Sequence, residues 1–182
     1  MSLSEDFEKT ALVHLTAVSR TALAICRPRD VAEDMVQITF TKAFERFGSF
    51  NQGTNCKAWL LRILRNTWID YLRRHRFESD SMPLYEDGVD RDTPEETVWS
   101  NAEDLLENFS DEQVIHALQQ LPDEQRLTLF LVDVEQLSQE DVADITDVAV
   151  GTVKSRTSRA RAALKKRLST YAKDMNFMKG DS

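Results

Sequence analysis

The sequence predicts an all-α protein of two small helical domains joined by an acidic, flexible linker, the C-terminal domain carrying a helix-turn-helix. Three observations predict it. Apolar residues recur at helical spacing on both sides of residues 78–110, a stretch with one Lys or Arg against eleven Asp or Glu, with Pro83, Gly88, Pro94 and few aliphatics. That is the make-up of a tether and not of a core. Further on, a short capped helix is followed by four residues and then a strongly basic helix, a connection short enough to force a steep crossing. At 182 residues the chain can hold one ordinary domain or two small ones, and the composition shift selects two. They are placed at 1–77 and 111–172, with the linker at 78–110 and a tail at 173–182.

Three helices are expected before the linker. Phe7 to Ile25 has Leu12, Leu15, Val18, Ala22 and Ile25 on one face, with Pro28 beyond its end. Asp30, with Glu33 three residues later, reads as the next N-cap. From there Val36, Phe40, Ala43, Phe44 and Phe47 form the apolar stripe, and Gly48 stops the helix. The third helix starts after Thr54 or Asn55 and runs to about His75. Its broad apolar side is Leu60, Leu61, Leu64, Trp68, Tyr71 and Leu72. Opposite stand Trp59, Ile63, Asn66 and Asp70, flanked by Arg62, Arg73 and Arg74. Aromatic and amide groups between cations can stack on and bond to unpaired bases. The competing reading is that Trp59 and Ile63 pack on the first helix while the arginines are only solvated.

In the second half, Ser110 with Gln113 forms a capping box and Phe109 with Val114 a hydrophobic staple. Pro122 suits a helix start, and Leu127, Phe130, Leu131 and Val134 carry the apolar pattern on. Ser138-Gln139-Glu140-Asp141 caps a short helix running to about Ile145, with Leu137 and Val142 as its staple. After the turn Thr146-Asp147-Val148-Ala149 comes the basic helix, with Val153, Ala160, Leu164 and Leu168 on one stripe and Ser155, Ser158, Arg159, Ala162 and Lys166 opposite. One face packs and the other is free to meet phosphates and bases.

Charge supports that division of labour. Residues 1–77 carry a net +4, 78–110 carry −10, 111–150 carry −9 and 151–182 carry +7, so the overall −8 hides two basic patches. The acidic middle should weaken non-specific DNA binding by the free chain, an effect that salt screens. No run of 18 apolar residues and no secretory signal pattern occurs, so membrane insertion is not expected and a cytoplasmic protein is. Cys26 and Cys56 make no zinc spacing with His14, His75 or His116, and there is no nucleophile motif and no glycine-rich phosphate loop. An enzyme, a bound metal and a cofactor are therefore not expected.

A recognition helix contacts base edges through its N-terminal residues. Here these are Thr152, Lys154, Ser155, Arg156, Ser158 and Arg159, with Arg161, Lys165, Lys166 and Arg167 placed for phosphates. The segments Ala32-Glu33-Asp34-Met35-Val36-Gln37-Ile38-Thr39-Phe40, Lys57-Ala58-Trp59-Leu60-Leu61-Arg62-Ile63-Leu64-Arg65-Asn66-Thr67, Leu121-Pro122-Asp123-Glu124-Gln125-Arg126, Leu137-Ser138-Gln139-Glu140-Asp141-Val142-Ala143 and Val150-Gly151-Thr152-Val153-Lys154-Ser155-Arg156 occur in this order. Together they resemble the extracytoplasmic-function group of bacterial RNA polymerase sigma factors, across about residues 7 to 168.

The resemblance implies a factor that binds core RNA polymerase and directs promoter-specific initiation. It implies a polymerase contact through Asp34, Gln37, Phe40 and Thr41, with Ile38 departing from the glutamate common in the family. It places a flipped base of the minus-ten element at the loop Asn51 to Lys57, including Thr54 and Asn55, with Arg62, Asn66, Asp70, Arg73 and Arg74 nearby. Lys154, Ser155, Ser158 and Arg159 would read the minus-thirty-five element as duplex, and the acidic linker would thread the polymerase's nucleic-acid channel. An anti-sigma partner is implied as well. The alternative is a sigma mimic that keeps the fold to sequester an anti-sigma protein without engaging DNA; the basic residues present argue for the promoter reading.

Overall fold

A computed structural model describes residues 3–78 and 116–179, and the side chains of residues 3–75 and 116–170. The chain divides into two compact units, Met1–Thr93 and Pro94–Ser182, a division falling inside the stretch read as a tether. That stretch from residue 79 on, the capping box at Ser110 and the end of the tail lie outside the described residues. Every element described is helical.

In the first unit, α1 (Leu3–Thr10), a 3₁₀ turn (Leu12–His14) and α2 (Leu15–Ile25) replace the single helix expected from Phe7 to Ile25. Phe7, Ala11, Val18, Ala22 and Ile25 are buried, but Leu12 and Leu15 are 41% and 44% exposed. The tighter turn of a 3₁₀ segment shifts the helical phase, so these two leucines leave the packed face that an unbroken helix would have given them.

Helix α3 (Arg29–Arg46) begins one residue before the expected cap: Pro28 occupies the N-cap position without a side-chain bond, and Asp30 sits in the first turn. There its carboxylate complements the helix dipole instead of capping. The buried line is Ala32, Met35, Thr39 and Ala43, whereas Val36 and Phe40 are half-buried and Phe44 is 43% exposed. Small residues let α3 approach its neighbours closely, and the Thr39 hydroxyl donates to the Met35 carbonyl at 2.7 Å, so its burial leaves no unmet donor. The larger rings form a flank: Phe7 meets Phe44 and Phe47 edge-on at 5.1 Å each, and Phe47 and Phe50 carry the cluster on to Trp59.

A second 3₁₀ turn (Phe47–Ser49) leads to α4 (Cys56–Glu78), whose core residues Leu60, Leu61, Leu64 and Trp68 are buried as expected, while Tyr71 and Leu72 of the same stripe are half-buried. Helices α2, α3 and α4 pack on one another pairwise. Cys26 and Cys56 are both free and buried, and burial pushes the Cys56 thiol pKa up. Burial, and then the charge of Lys57, hold the pKa of His14 below its ordinary 6.5. The unfolded chain therefore binds more protons just below that value, so stability should fall as pH drops through it. Urea unfolding of the wild type and of His14→Gln at about pH 7.5 and about pH 5.5 tests this. The wild type should lose more stability than the variant on acidification.

In the second unit the described part opens with helical residues 116–119 (α5), followed by α6 (Asp123–Leu129). Helix α6 widens into a π-helical turn at Phe130–Val134, closed by the Glu135 N–H bonding the Phe130 carbonyl at 3.0 Å. Helix α7 (Gln139–Thr146) starts where the sequence places it, with the Ser138 hydroxyl accepting from the Asp141 N–H at 3.0 Å and Leu137 and Val142 buried beside it. It ends on Asp147 in the left-handed conformation, φ 57°, which an aspartate tolerates better than most side chains. Three residues later α8 (Val150–Lys179) begins, extending past the boundary placed at residue 172. Both α6 and α7 pack on α8. The core joins Ala117, Leu121 and Leu129 to Ala160, Leu164 and Leu168.

Candidate nucleic-acid interface

Helix α8 buries Val153, Thr157, Ala160, Leu164 and Leu168, and this settles which way its cations face. Lys154, Ser155, Ser158 and Arg159 are exposed, with Thr152 half-buried at the start of the helix. The Ser155 hydroxyl donates to the Thr152 carbonyl at 3.1 Å, which holds it against its own helix. Lys165 and Lys166 are exposed about two turns past Arg159.

Three arginines assigned from sequence to DNA have partners within the protein. Arg156, expected at a base edge, donates from Nη1 to Glu124 Oε2 at 2.9 Å. Arg161, expected on a phosphate, forks onto Asp133, Nε to Oδ2 at 3.0 Å and Nη2 to Oδ1 at 2.5 Å. That hydrogen bond, against the opposing cost of burial and with the added attraction of the carboxylate charge, pushes the Arg161 pKa further up. Arg167 donates to the Gln120 side chain, and to its carbonyl at 3.3 Å. Each brace ties α8 to an element at least 28 residues away in sequence. Helical periodicity carries no signal of such pairings; the acidity of residues 111–150 was the nearest hint.

In the first unit, Arg62, Asn66, Asp70 and Arg73 lie along one stripe of α4, Asp70 half-buried and the others exposed. Arg74 is exposed next to that stripe, and Arg65 Nη1 donates to Asn66 Oδ1 at 3.4 Å. The loop before α4 exposes Asn51, Thr54 and Asn55. Gly53 there takes φ 101°, a conformation open to glycine and strained for other residues. The Thr54 hydroxyl donates to the Asn51 carbonyl at 2.8 Å, and Asn55 Oδ1 accepts from the Ala58 N–H at 3.1 Å, so Asn55 is the N-cap of α4. Lys57 is half-buried.

The aromatic platform read from sequence is not free-standing. Trp59 packs on Phe50 at 4.8 Å and Phe47 at 6.5 Å, and Ile63 is buried. Burial matches the packing alternative for Ile63 and in part for half-buried Trp59, but the partners of Trp59 are Phe47 and Phe50, ahead of α4, and not the first helix. On α3, Asp34, Gln37 and Thr41 form an exposed row. Phe40 turns instead toward Phe7, ring centroids 6.5 Å apart, and Ile38, at 39% exposed, takes its place beside that row. Among the described residues no cluster of His, Cys, Asp and Glu could hold a metal ion, and no helix is long and apolar enough to cross a membrane.

This pair of helical units has counterparts among known proteins. Residues 12–78 match the family model described as Sigma-70 region 2, and residues 111–164 match Sigma-70, region 4. The chain belongs to the sigma-70 family, in its extracytoplasmic-function group. It is 34% identical over 165 residues to the ECF RNA polymerase sigma factor EcfG of Rhodopseudomonas palustris, covering 90% of this chain and 86% of that one. It is 36% identical over 140 residues to the RNA polymerase sigma-H factor of Pseudomonas aeruginosa, covering 75% and 72%. Among solved structures, the sigma factor RpoE in complex with the anti-sigma factor NepR from Bartonella quintana superposes with a TM-score of 0.73 at 33% identity, covering 91% of this chain and 98% of that one. As a sigma factor the protein serves promoter-specific transcription initiation with RNA polymerase.

Proposed function

We propose that this sigma factor reads a minus-thirty-five element as duplex through Lys154, Ser155, Ser158 and Arg159 of α8, and melts and holds a minus-ten element with the loop 51–57 and the outer stripe of α4. The supporting observation is the outward face of α8: two cations and two hydroxyls at the N-terminal end of the second helix of a helix-turn-helix, all exposed. Lys165 and Lys166 then serve phosphates, while Arg156, Arg161 and Arg167 serve the domain itself. Capturing an extruded base costs a few kcal/mol of stacking, which edge hydrogen bonds from Asn66 and Asp70 help to offset. The row Asp34, Gln37 and Thr41, with Ile38, is the proposed polymerase contact.

A second reading has one observation in its favour. The RpoE relative was crystallised with an anti-sigma factor, and an anti-sigma partner is proposed for this chain as well. A mimic would bind that partner without working at promoters. Adding the purified chain to sigma-free core polymerase on a pooled promoter library, and sequencing the transcripts, separates the two. Start sites sharing two spaced upstream elements are expected; stable partner binding with no transcripts would select the mimic. Asn66→Ala should impair promoter opening more than closed-complex binding, measured by stopped-flow fluorescence, and equal loss at both steps would remove it from base capture.

A further inference from the structure

The seam that holds α8, from Val153 through Thr157, Ala160 and Leu164 to Leu168, is narrow and built partly of small side chains. Apolar contact of this kind resists separation of the helices but is non-directional, so it resists a modest rotation about the helix axis only weakly. At about 100° per residue, Arg156 and Arg161 stand on opposite flanks of the seam. Arg156 reaches Glu124 on one side and Arg161 grips Asp133 on the other, both partners belonging to α6 and its widened end. One member of each pair is largely out of water, Arg156 at 16% exposed and Asp133 at 18%. Charge-assisted bonds in such places are short and directional, and a forked arginine–carboxylate pair fixes an orientation as well as a distance.

We infer that Glu124 and Asp133 are positioning residues for base readout: they grip the recognition helix on both flanks and set its rotation, so that Arg156 and Arg161 act through them and not on the promoter. The inference rests on the reading of α8 as the helix that meets duplex DNA. Base contacts tolerate only about 10–20° of misorientation, so a freed helix carries Lys154, Ser155, Ser158 and Arg159 off their base edges. Attraction to phosphates survives that rotation. Each carboxylate also cancels the charge of its arginine, so neither pair releases counterions from DNA.

The test uses the full chain assembled with core polymerase on promoter fragments whose upstream element is randomised. Base preference is read by sequencing the bound fraction, and the dependence of closed-complex affinity on salt is measured on the best fragment. Arg161→Gln and Glu124→Gln should each flatten the preference by about tenfold. The salt dependence of Arg161→Gln should stay that of the wild type. The exchanged pair, Asp133→Arg with Arg161→Asp, should restore much of the preference. If Arg161→Gln keeps the preference and lowers the salt slope by about 0.9, Arg161 is a phosphate ligand and the inference falls. Glu124 is 45% exposed, so Glu124→Gln and Arg156→Gln decide the matter should the Asp133 variants not fold: unchanged preference in both overturns it. A wild-type holoenzyme with no preference across the pool would instead overturn the reading of α8, a result visible before any variant is made.

Discussion

Replacing Arg126 by alanine is expected to destabilise the C-terminal unit by about 2 to 4 kcal/mol, measured by urea unfolding of the full chain followed by a probe in that unit. Arg126 is 5% exposed. Its Nη1 donates to the main-chain carbonyls of Gln119 at 3.2 Å and Leu121 at 3.3 Å, and Nη2 donates to Asp123 Oδ1 at 2.6 Å. The guanidinium thus closes the end of α5 onto the start of α6, where helix-terminal carbonyls have no partner of their own. Alanine leaves these acceptors unmet and opens a cavity where the side-chain stem packed. Asp123→Asn is the contrasting case. That carboxylate is 59% exposed, so its loss should cost no more than about 1 kcal/mol. An Arg126→Ala effect as small as that of Asp123→Asn would show that the loop holds together without the arginine.

Arg159→Ala is expected to weaken promoter use by about 1 to 3 kcal/mol and to relax preference at one position of the minus-thirty-five element. Arg159 is exposed and lies opposite the buried seam, which leaves its guanidinium free to take a guanine edge by two bonds. Lys166→Ala makes the comparison sharp, since Lys166 is also exposed but lies two turns further from the N-terminal end of the helix. It should lower affinity across all sequences and reduce the salt slope by about 0.9. The same pooled-promoter binding assay reads both. Unchanged preference in Arg159→Ala would remove it from base readout, and a sequence-selective effect of Lys166→Ala would move that lysine from phosphate to base.

Much of the molecule was legible before any coordinates. The cap at Ser138, the staple of Leu137 and Val142, the turn and the basic helix are local: each depends on residues within five positions of one another, and each is found where the sequence puts it. The seam of α8 was legible for the same reason, because helical spacing alone brings Val153, Ala160, Leu164 and Leu168 to one side. Where the reading went astray, a neighbour chose. Phe40 and Phe44 satisfy the same spacing rule as Ala32, Thr39 and Ala43, yet close approach of three helices favours the smaller side chains and sends the rings to the flank around Phe7. The break at Leu12–His14 has no strong local signal, lacking both proline and glycine.

The sequence by itself determined the helical class, the helix-turn-helix and the face on which the cations of α8 collect, since all three follow from spacing along one chain segment. Only the tertiary structure decided which of those cations are free. Arg156, Arg159 and Arg161 look alike in sequence, but Glu124 and Asp133 claim the first and third across 32 and 28 residues, leaving Arg159 exposed. The physical reason is that periodicity reports only where a side chain leaves its own helix, whereas the pairing of a charge depends on what another helix places opposite it.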